Sequence, residues 1–199
     1  MKLSVVHPDK EVPMSSTTIS QESEIGIPGV ADEYLQLIPL SLMDSVLSVY
    51  FPDCRYLKQA WSHKTLGSIT TSGKFSIGES FYIDSTGHFN AVEANICLNQ
   101  IAYVTFADFL NRRDSHPFWA DVGDFAFEDF GPNQLANMFI VSLSTKFRKA
   151  IDGAGFFGQF RIRKISSKMG LIFFDCDFSF SQVDDKSFYG NVTFAVARD

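Results

Sequence analysis

From Leu171 to Ser181, the apolar residues Ile172, Phe174, Cys176, Phe178 and Phe180 alternate with Phe173, Asp175, Asp177, Ser179 and Ser181. A period of two marks a strand in a sheet with one solvated face. Met138 to Arg148, Phe156 to Ile165 and Phe188 to Ala197 also read as strands, so the last third predicts a meander. Its turns are Gly153-Ala154-Gly155, Ser166 to Gly170 and Asp184-Asp185-Lys186. By period alone Met138 to Arg148 could instead be helical. Upstream, Tyr56 to Lys64 and Ser68 to Ile77 predict two strands around Thr65-Leu66-Gly67. Between these sets, Ala91 to Asn111 has no Pro or Gly and is apolar almost all round, which predicts a long helix wrapped by other structure. Asn90 and Glu93 have capping-box spacing at its start. Leu42, Val46, Leu47 and Tyr50 fit a short helix over Ser41 to Phe51, with Ser41 as cap and Pro52 as stop. The irregular aromatic stretch 112–133 (Phe118, Trp119, Phe125, Phe127, Phe130) is of the kind that covers a pocket. Residues 1–30 show no sustained period and predict a flexible arm ahead of one domain, 31–199.

Composition narrows the class. A chain of 199 residues, 45% hydrophobic and 20% charged, suits a single core. Twenty-one Phe against 7 Pro and 13 Gly point to a compact α+β fold with thick aromatic packing. The net charge of −6 argues against a broad nucleic-acid surface. With no apolar run of membrane-spanning length and no leader-like start, the expectation is a cytoplasmic protein. Cys54, Cys97 and Cys176 lack metal-ligand spacing and read as reduced thiols, so neither metal nor cofactor is expected.

The chemistry-bearing residues gather in the loop entering the long helix. Tyr82, His88 and Asn90 put a phenol, an imidazole and an amide beside the helix amino end, where the dipole favours developing negative charge. Each also has a structural alternative: a packed strand-end ring for Tyr82, a loop brace for His88, a helix cap for Asn90. Glu93 and Glu79 likewise have sufficient structural jobs, in the capping box and in tying down the loop. Asn95, Asn99, Ala102 and Phe106 share one helix stripe, with Glu93, Cys97 and Ile101 on another. Asn99 in a buried helix either ties the helix to strand backbone or faces a cavity. Lys146, Arg148, Lys149, Arg161, Arg163, Lys164 and Lys168 form a basic cluster in an acidic chain. Such a cluster steers an acidic carrier or a phosphate, or is simply a solvated strand face.

The run Phe75 to Tyr103 closely resembles the FcoT-like thioesterase family of hotdog-fold enzymes. The match is strongest over Ile77-Gly78-Glu79-Ser80, Tyr82, Ser85-Thr86-Gly87-His88-Phe89-Asn90-Ala91-Val92-Glu93, Cys97 and Asn99-Gln100. Cys54-Arg55-Tyr56-Leu57 upstream, with Gln134-Leu135 and Phe147-Arg148-Lys149 downstream, support it. The resemblance covers about residues 50–197 and implies a single hotdog domain, a long central helix wrapped by an antiparallel sheet. It implies Tyr82 and Asn90 as activity residues, with Asn99 and a tyrosine near Tyr50 as pocket members. Tyr82, His88 and Asn90 are therefore the catalytic candidates, and Tyr50, Ser80, Thr86, Gly87, Glu93 and Asn99 the substrate-binding ones. Lys146, Arg148, Lys149, Arg161 and Arg163 are the carrier-docking candidates. The implied substrate is a fatty acyl thioester on an acyl carrier protein or CoA. The favoured reaction is addition of glycine to C3 of a 2-enoyl thioester, optionally followed by hydrolysis. The alternatives are plain thioester hydrolysis and a non-catalytic module that binds an acyl carrier. Hotdog sheets pair edge to edge, which implies a homodimer or larger homo-oligomer.

Overall fold

The computed structural model describes Ile27, Val30, Ala31 and residues 34–64, 68–80, 82–84, 88–113, 117–131, 134–182 and 186–197. Seven strands form one antiparallel sheet: β1 (Leu35–Leu37), β2 (Leu57–His63), β3 (Ile69–Phe75), β4 (Met138–Phe147), β5 (Phe156–Lys168), β6 (Leu171–Ser181) and β7 (Phe188–Ala197). Their order is β1-β2-β3-β5-β6-β7-β4. Helix α1 (Leu40–Leu47) precedes β2, and α2 (Ala91–Arg112) runs for 22 residues, about 33 Å at 1.5 Å per residue. Short helices α3 (Trp119–Val122), α4 (Phe127–Phe130) and α5 (Gln134–Asn137) lead into β4. Helix α2 lies against β2, β3 and β5, giving the expected α+β hotdog arrangement. No helix among the described residues is long and apolar enough to cross a membrane.

The alternating pattern of β6 becomes a buried face of Ile172, Phe174, Cys176, Phe178 and Phe180 turned toward α2. Phenylalanine rings fill the space between the layers. Phe75, Phe89, Phe156, Phe180 and Phe188 pack near the helix amino end, and Phe106 meets Phe160, Phe174 and Phe194 further along. Each such ring removed from water stabilises the fold by roughly 1.5–3 kcal/mol. The rings fit because Gly73 and Gly158 stand opposite one another across β3 and β5. A Cβ on Gly158 would lie 2.6 Å from Phe180 Cε1, and one on Gly73 the same distance from Leu57 Cδ1.

Some local expectations change. Helix α1 begins after Pro39 with no side-chain cap, so Ser41 sits within its first turn. It also stops at Leu47, well short of Pro52, which opens a separate 3-10 turn (Pro52–Cys54). Met138–Phe147 is a strand: its ladder with β7 overrides the helical period. Strand β1 was not expected. Ile27 and Val30 pack with Leu35 of β1 and with Trp61, so the end of the arm region touches the sheet. The rest of the arm, the turn 65–67, Thr86 and Gly87 lie outside the described residues.

Candidate active site

The site is built on the amino end of α2. Asn90 has extended backbone, and its Oδ1 accepts from the backbone N–H of Val92 at 2.9 Å and of Glu93 at 3.2 Å. Glu93 Oε2 accepts in return from the Asn90 N–H at 3.1 Å, completing the expected capping box. Phe89, 2% exposed, anchors the preceding residue in the core. Two backbone bonds then clamp the loop after β4 against this segment: Phe89 N–H to Ile151 O at 2.9 Å, and Ile77 N–H to Gly153 O at 2.8 Å.

Within that frame Ser80, Tyr82, Asn90 and Glu93 form one hydrogen-bonded cluster. The Tyr82 hydroxyl donates to Asn90 Oδ1 at 2.9 Å, and Ser80 Oγ donates to Glu93 Oε1. Burial raises the Tyr82 phenol pKa, while the bond to Asn90 works in the opposite direction. Asn90 Oδ1 thus receives three donors, whereas its Nδ2 donates to none of the described residues. That amide N–H is available to an incoming oxygen. Glu93 is only 3% exposed although it carries a carboxylate. Beside it opens a cavity of about 150 Å³ lined by Ile77, Gly78, Glu79, Ser80, His88, Glu93, Asp152, Gly153 and Ala154.

Other candidates lie elsewhere. Asn99 is half-buried and nine positions beyond Asn90, about 13.5 Å along the axis. Its side chain makes no hydrogen bond with a described residue, so it does not tie the helix to a strand. Tyr50 is also half-buried, its ring tilted at 6.3 Å from that of Tyr103. Burial, then Tyr103 and Cys97, push its phenol pKa well up. Cys97 is fully buried, and burial followed by the charge of Glu93 keeps its thiol protonated, unsuited to act as a nucleophile.

The structure also divides the basic cluster. Arg161 and Arg163 both pair with Asp177, at 2.7 Å and 3.0 Å, on the sheet face away from α2. Lys146, Arg148 and Lys149 stand where β4 runs out toward the cavity loop, with the Arg148 guanidinium 5.4 Å from the Tyr189 ring centre.

Three residues carry more than sequence reasoning assigned them. Asp152 lines the cavity; the Asp-Gly turn at 152–153 was the available signal. Gln100, wholly buried, accepts from the N–H of Tyr56 and Leu57, both at 2.9 Å, and donates to Cys54 O at 2.6 Å. It fastens the segment before β2 to α2. Tyr56, 1% exposed, holds a phenol without a hydrogen-bond partner among the described residues. Burial, then the charges of Cys54 and Glu93, push its pKa up to about 12.

A capped central helix over one antiparallel sheet, with a polar cluster at the capped end, defines this molecule as a hotdog-fold domain with its candidate site at the helix amino terminus. The chain belongs to the FcoT-like thioesterase domain family, whose pattern matches residues 45–196. It is 38% identical over 125 residues to a Mycobacterium marinum protein named (2E)-enoyl-ACP glycyltransferase, covering 62% of this chain and 66% of that one, just under two thirds of the relative's length. A Streptomyces coeruleorubidus protein of the same name is 34% identical over 128 residues, 64% of this chain and 75% of that one. Among solved structures, the dehydratase domain of RzxB from Pseudomonas fluorescens superposes with a TM-score of 0.52 at 10% identity, covering 84% of this chain and 51% of that one. This last likeness concerns the fold alone.

Proposed function

We propose that this protein adds glycine to C3 of a 2-enoyl thioester carried on an acyl carrier protein. The observation that carries the reading is the unused Asn90 Nδ2 donor at the amino end of α2, beside the buried Glu93 carboxylate. The names of the two relatives supply the reaction class. The thioester carbonyl lies against Asn90, where the helix end contributes roughly half a positive charge. The glycine nitrogen forms a bond to C3, and the C2=C3 π pair moves onto the thioester as an enolate held by Asn90. Glu93 first takes one proton from the ammonium to free the nitrogen lone pair, and returns it to C2 to complete the addition. His88, in the same cavity wall, stands beside this transfer. Hydrolysis of the thioester is the second reading, favoured by the family's own description.

The acyl chain is assigned to the exposed apolar side chains of β4. Among the described residues, strand β4 is paired on one edge only, and it exposes Phe139, Ile140, Val141, Leu143 and Phe147 on both its faces. An unpaired apolar edge invites another strand. A second copy pairing there would cover that edge beside the cavity loop and form a homodimer. Lys146, Arg148 and Lys149, at the end of the same strand, face an acidic carrier. Arg161 and Arg163, already paired with Asp177, contribute less.

Incubation with a medium-chain 2-enoyl carrier protein and glycine should give a product heavier by one glycine in mass spectrometry, on the carrier or released. Rapid cleavage of saturated acyl thioesters, with no adduct at any enoyl length, would establish the hydrolase instead.

A further inference from the structure

The outward face of the sheet, away from α2, carries a groove that the candidate site does not use. Paired positions run straight across this face: Trp61 of β2 opposite Ser72 of β3, then Gln159 of β5, Ser179 of β6 and Tyr189 of β7. The last three line a groove of about 270 Å³, with Arg161, Asp177 and Lys186 beside them. Arg163 shares Asp177 with Arg161, and Lys186 forms no ion pair among the described residues. Three cations therefore gather around one carboxylate, in a chain whose net charge is −6. The other end of the row is covered by the chain itself. Ile27 and Val30 pack with Trp61 and Leu35, and Ser72 is 2% exposed. Followed upstream, the chain passes from β1, at the sheet edge, onto the face of β2. Residues 11–26, just ahead of Ile27 and outside the described residues, contain Glu11, Glu22 and Glu24 and no Lys or Arg.

We propose that residues 11–26 dock across this outward face, with Glu22 and Glu24 in the basic groove. Reach is sufficient. Neighbouring strands lie about 4.8 Å apart, so β5 is about 10 Å from β2 and β6 about 14 Å. An extended chain covers about 3.3 Å per residue. Glu24, three positions before Ile27, thus spans about 10 Å and meets Arg161 and Arg163 on β5, while Glu22, five positions before, spans about 17 Å and meets Lys186 beyond β6. Charge selects this face, because an acidic segment is repelled by most of an acidic surface and attracted only where cations outnumber carboxylates. Each exposed pair favours the docked state by about 1.5–5-fold. Such weak pairs suffice, since Ile27 already anchors the segment and makes the contact intramolecular. The groove lies on the face away from the amino end of α2, so docking there leaves the candidate site open.

The test is hydrogen exchange of the full chain, read by mass spectrometry over residues 11–26 against a synthetic peptide of the same sequence in the same buffer. In about 0.01 M salt, where charges act over about 30 Å, the segment should exchange about fivefold more slowly than the peptide. In about 1 M salt, where the range shrinks to about 3 Å, that protection should vanish. It should vanish equally at low salt in Glu22→Gln/Glu24→Gln and in Arg163→Gln/Lys186→Gln, which alter opposite sides of the contact and bury no new group. A carbodiimide should join Glu22 or Glu24 to Lys186 in a product of single-chain mass. Exchange at the peptide rate in low salt would overturn the proposal, as would protection that survives both double variants. Cross-links found only in a product of twice the chain mass would overturn it too, by giving the groove to the arm of a second copy.

Discussion

Asn90 has two roles in this structure, and two substitutions separate them. Asn90→Ala removes the Oδ1 that accepts from Val92, Glu93 and Tyr82. Loss of a helix cap costs about 1 kcal/mol. Tyr82, 40% exposed, recovers water for its lost bond, so it adds little. At roughly 2–4 °C per kcal/mol for a chain of this size, Tm should fall by about 2–4 °C. Asn90→Asp keeps the acceptor and the cap. Its new charge gains about 0.3–1 kcal/mol from the helix end, offset by repulsion from nearby Glu93, and Tm should stay within about 2 °C of the wild type. Both variants lose Nδ2, and removing one donor aimed at a developing oxyanion typically costs 10²–10³ in rate. The assay is the initial rate of glycine-adduct formation, read by mass spectrometry well below the lower of the Tm values, alongside thermal unfolding. The predicted result is a stable but slow Asp variant and a less stable, equally slow Ala variant. An Asp variant retaining more than about a tenth of the wild-type rate would refute the donor role, and an Ala variant with unchanged Tm would refute the cap.

Gln100→Leu leaves the N–H groups of Tyr56 and Leu57 and the Cys54 carbonyl without their partner; at ~1–3 kcal/mol per stranded buried group, stability in urea should fall by about 3 kcal/mol or more, and a loss under about 1 kcal/mol would show the clamp to be idle. Tyr56→Phe removes a buried hydroxyl that has no partner among the described residues, so stability at pH 7 should hold or rise. The Tyr56 pKa, about 12 when folded against about 10 unfolded, gives a stabilisation fully present below pH 10 and lost as pH rises to about 12; urea titrations over that range should find the Phe variant losing less stability than the wild type. Leu143→Lys on the exposed face of β4 should convert a dimer to monomer in light scattering at micromolar concentration, and a wild type already monomeric there contradicts the edge-pairing proposal. Deleting residues 1–26, which leaves Ile27 to pack with Leu35 and Trp61, should keep turnover within a few-fold; a folded but inactive truncation would place the arm over the site.

Much of the architecture was legible in the chain because local patterns and global burial agree. The alternation from Ile172 to Phe180 requires one buried face whatever the neighbours are, and the Asn90–Glu93 spacing closes a capping box through bonds spanning a single turn. The long segment has no Pro or Gly and is apolar almost all round, which reads as a wrapped helix, and in the structure its first turns keep a solvated side, at Val92 and Asn95. Where the signal was ambiguous, tertiary contacts decided. Met138–Phe147 satisfies two periods, and only the ladder with β7 makes it a strand, while its place at the sheet edge leaves its apolar side chains exposed. Ser41 has the chemistry of a cap, yet the chain enters α1 at Pro39, ahead of it. The grouping of functional residues is likewise a matter of three dimensions. Asp152 reaches the cavity because Ile151 and Gly153 bond to backbone more than sixty positions earlier, and no local pattern encodes that. Arg161 and Arg163 read as part of one basic cluster until strand pairing sets Asp177 against them. Sequence spacing carries interactions within a turn or along a strand; charge balance, cavity lining and unpaired edges arise from pairings between distant segments, and those are settled only when the sheet closes around the helix.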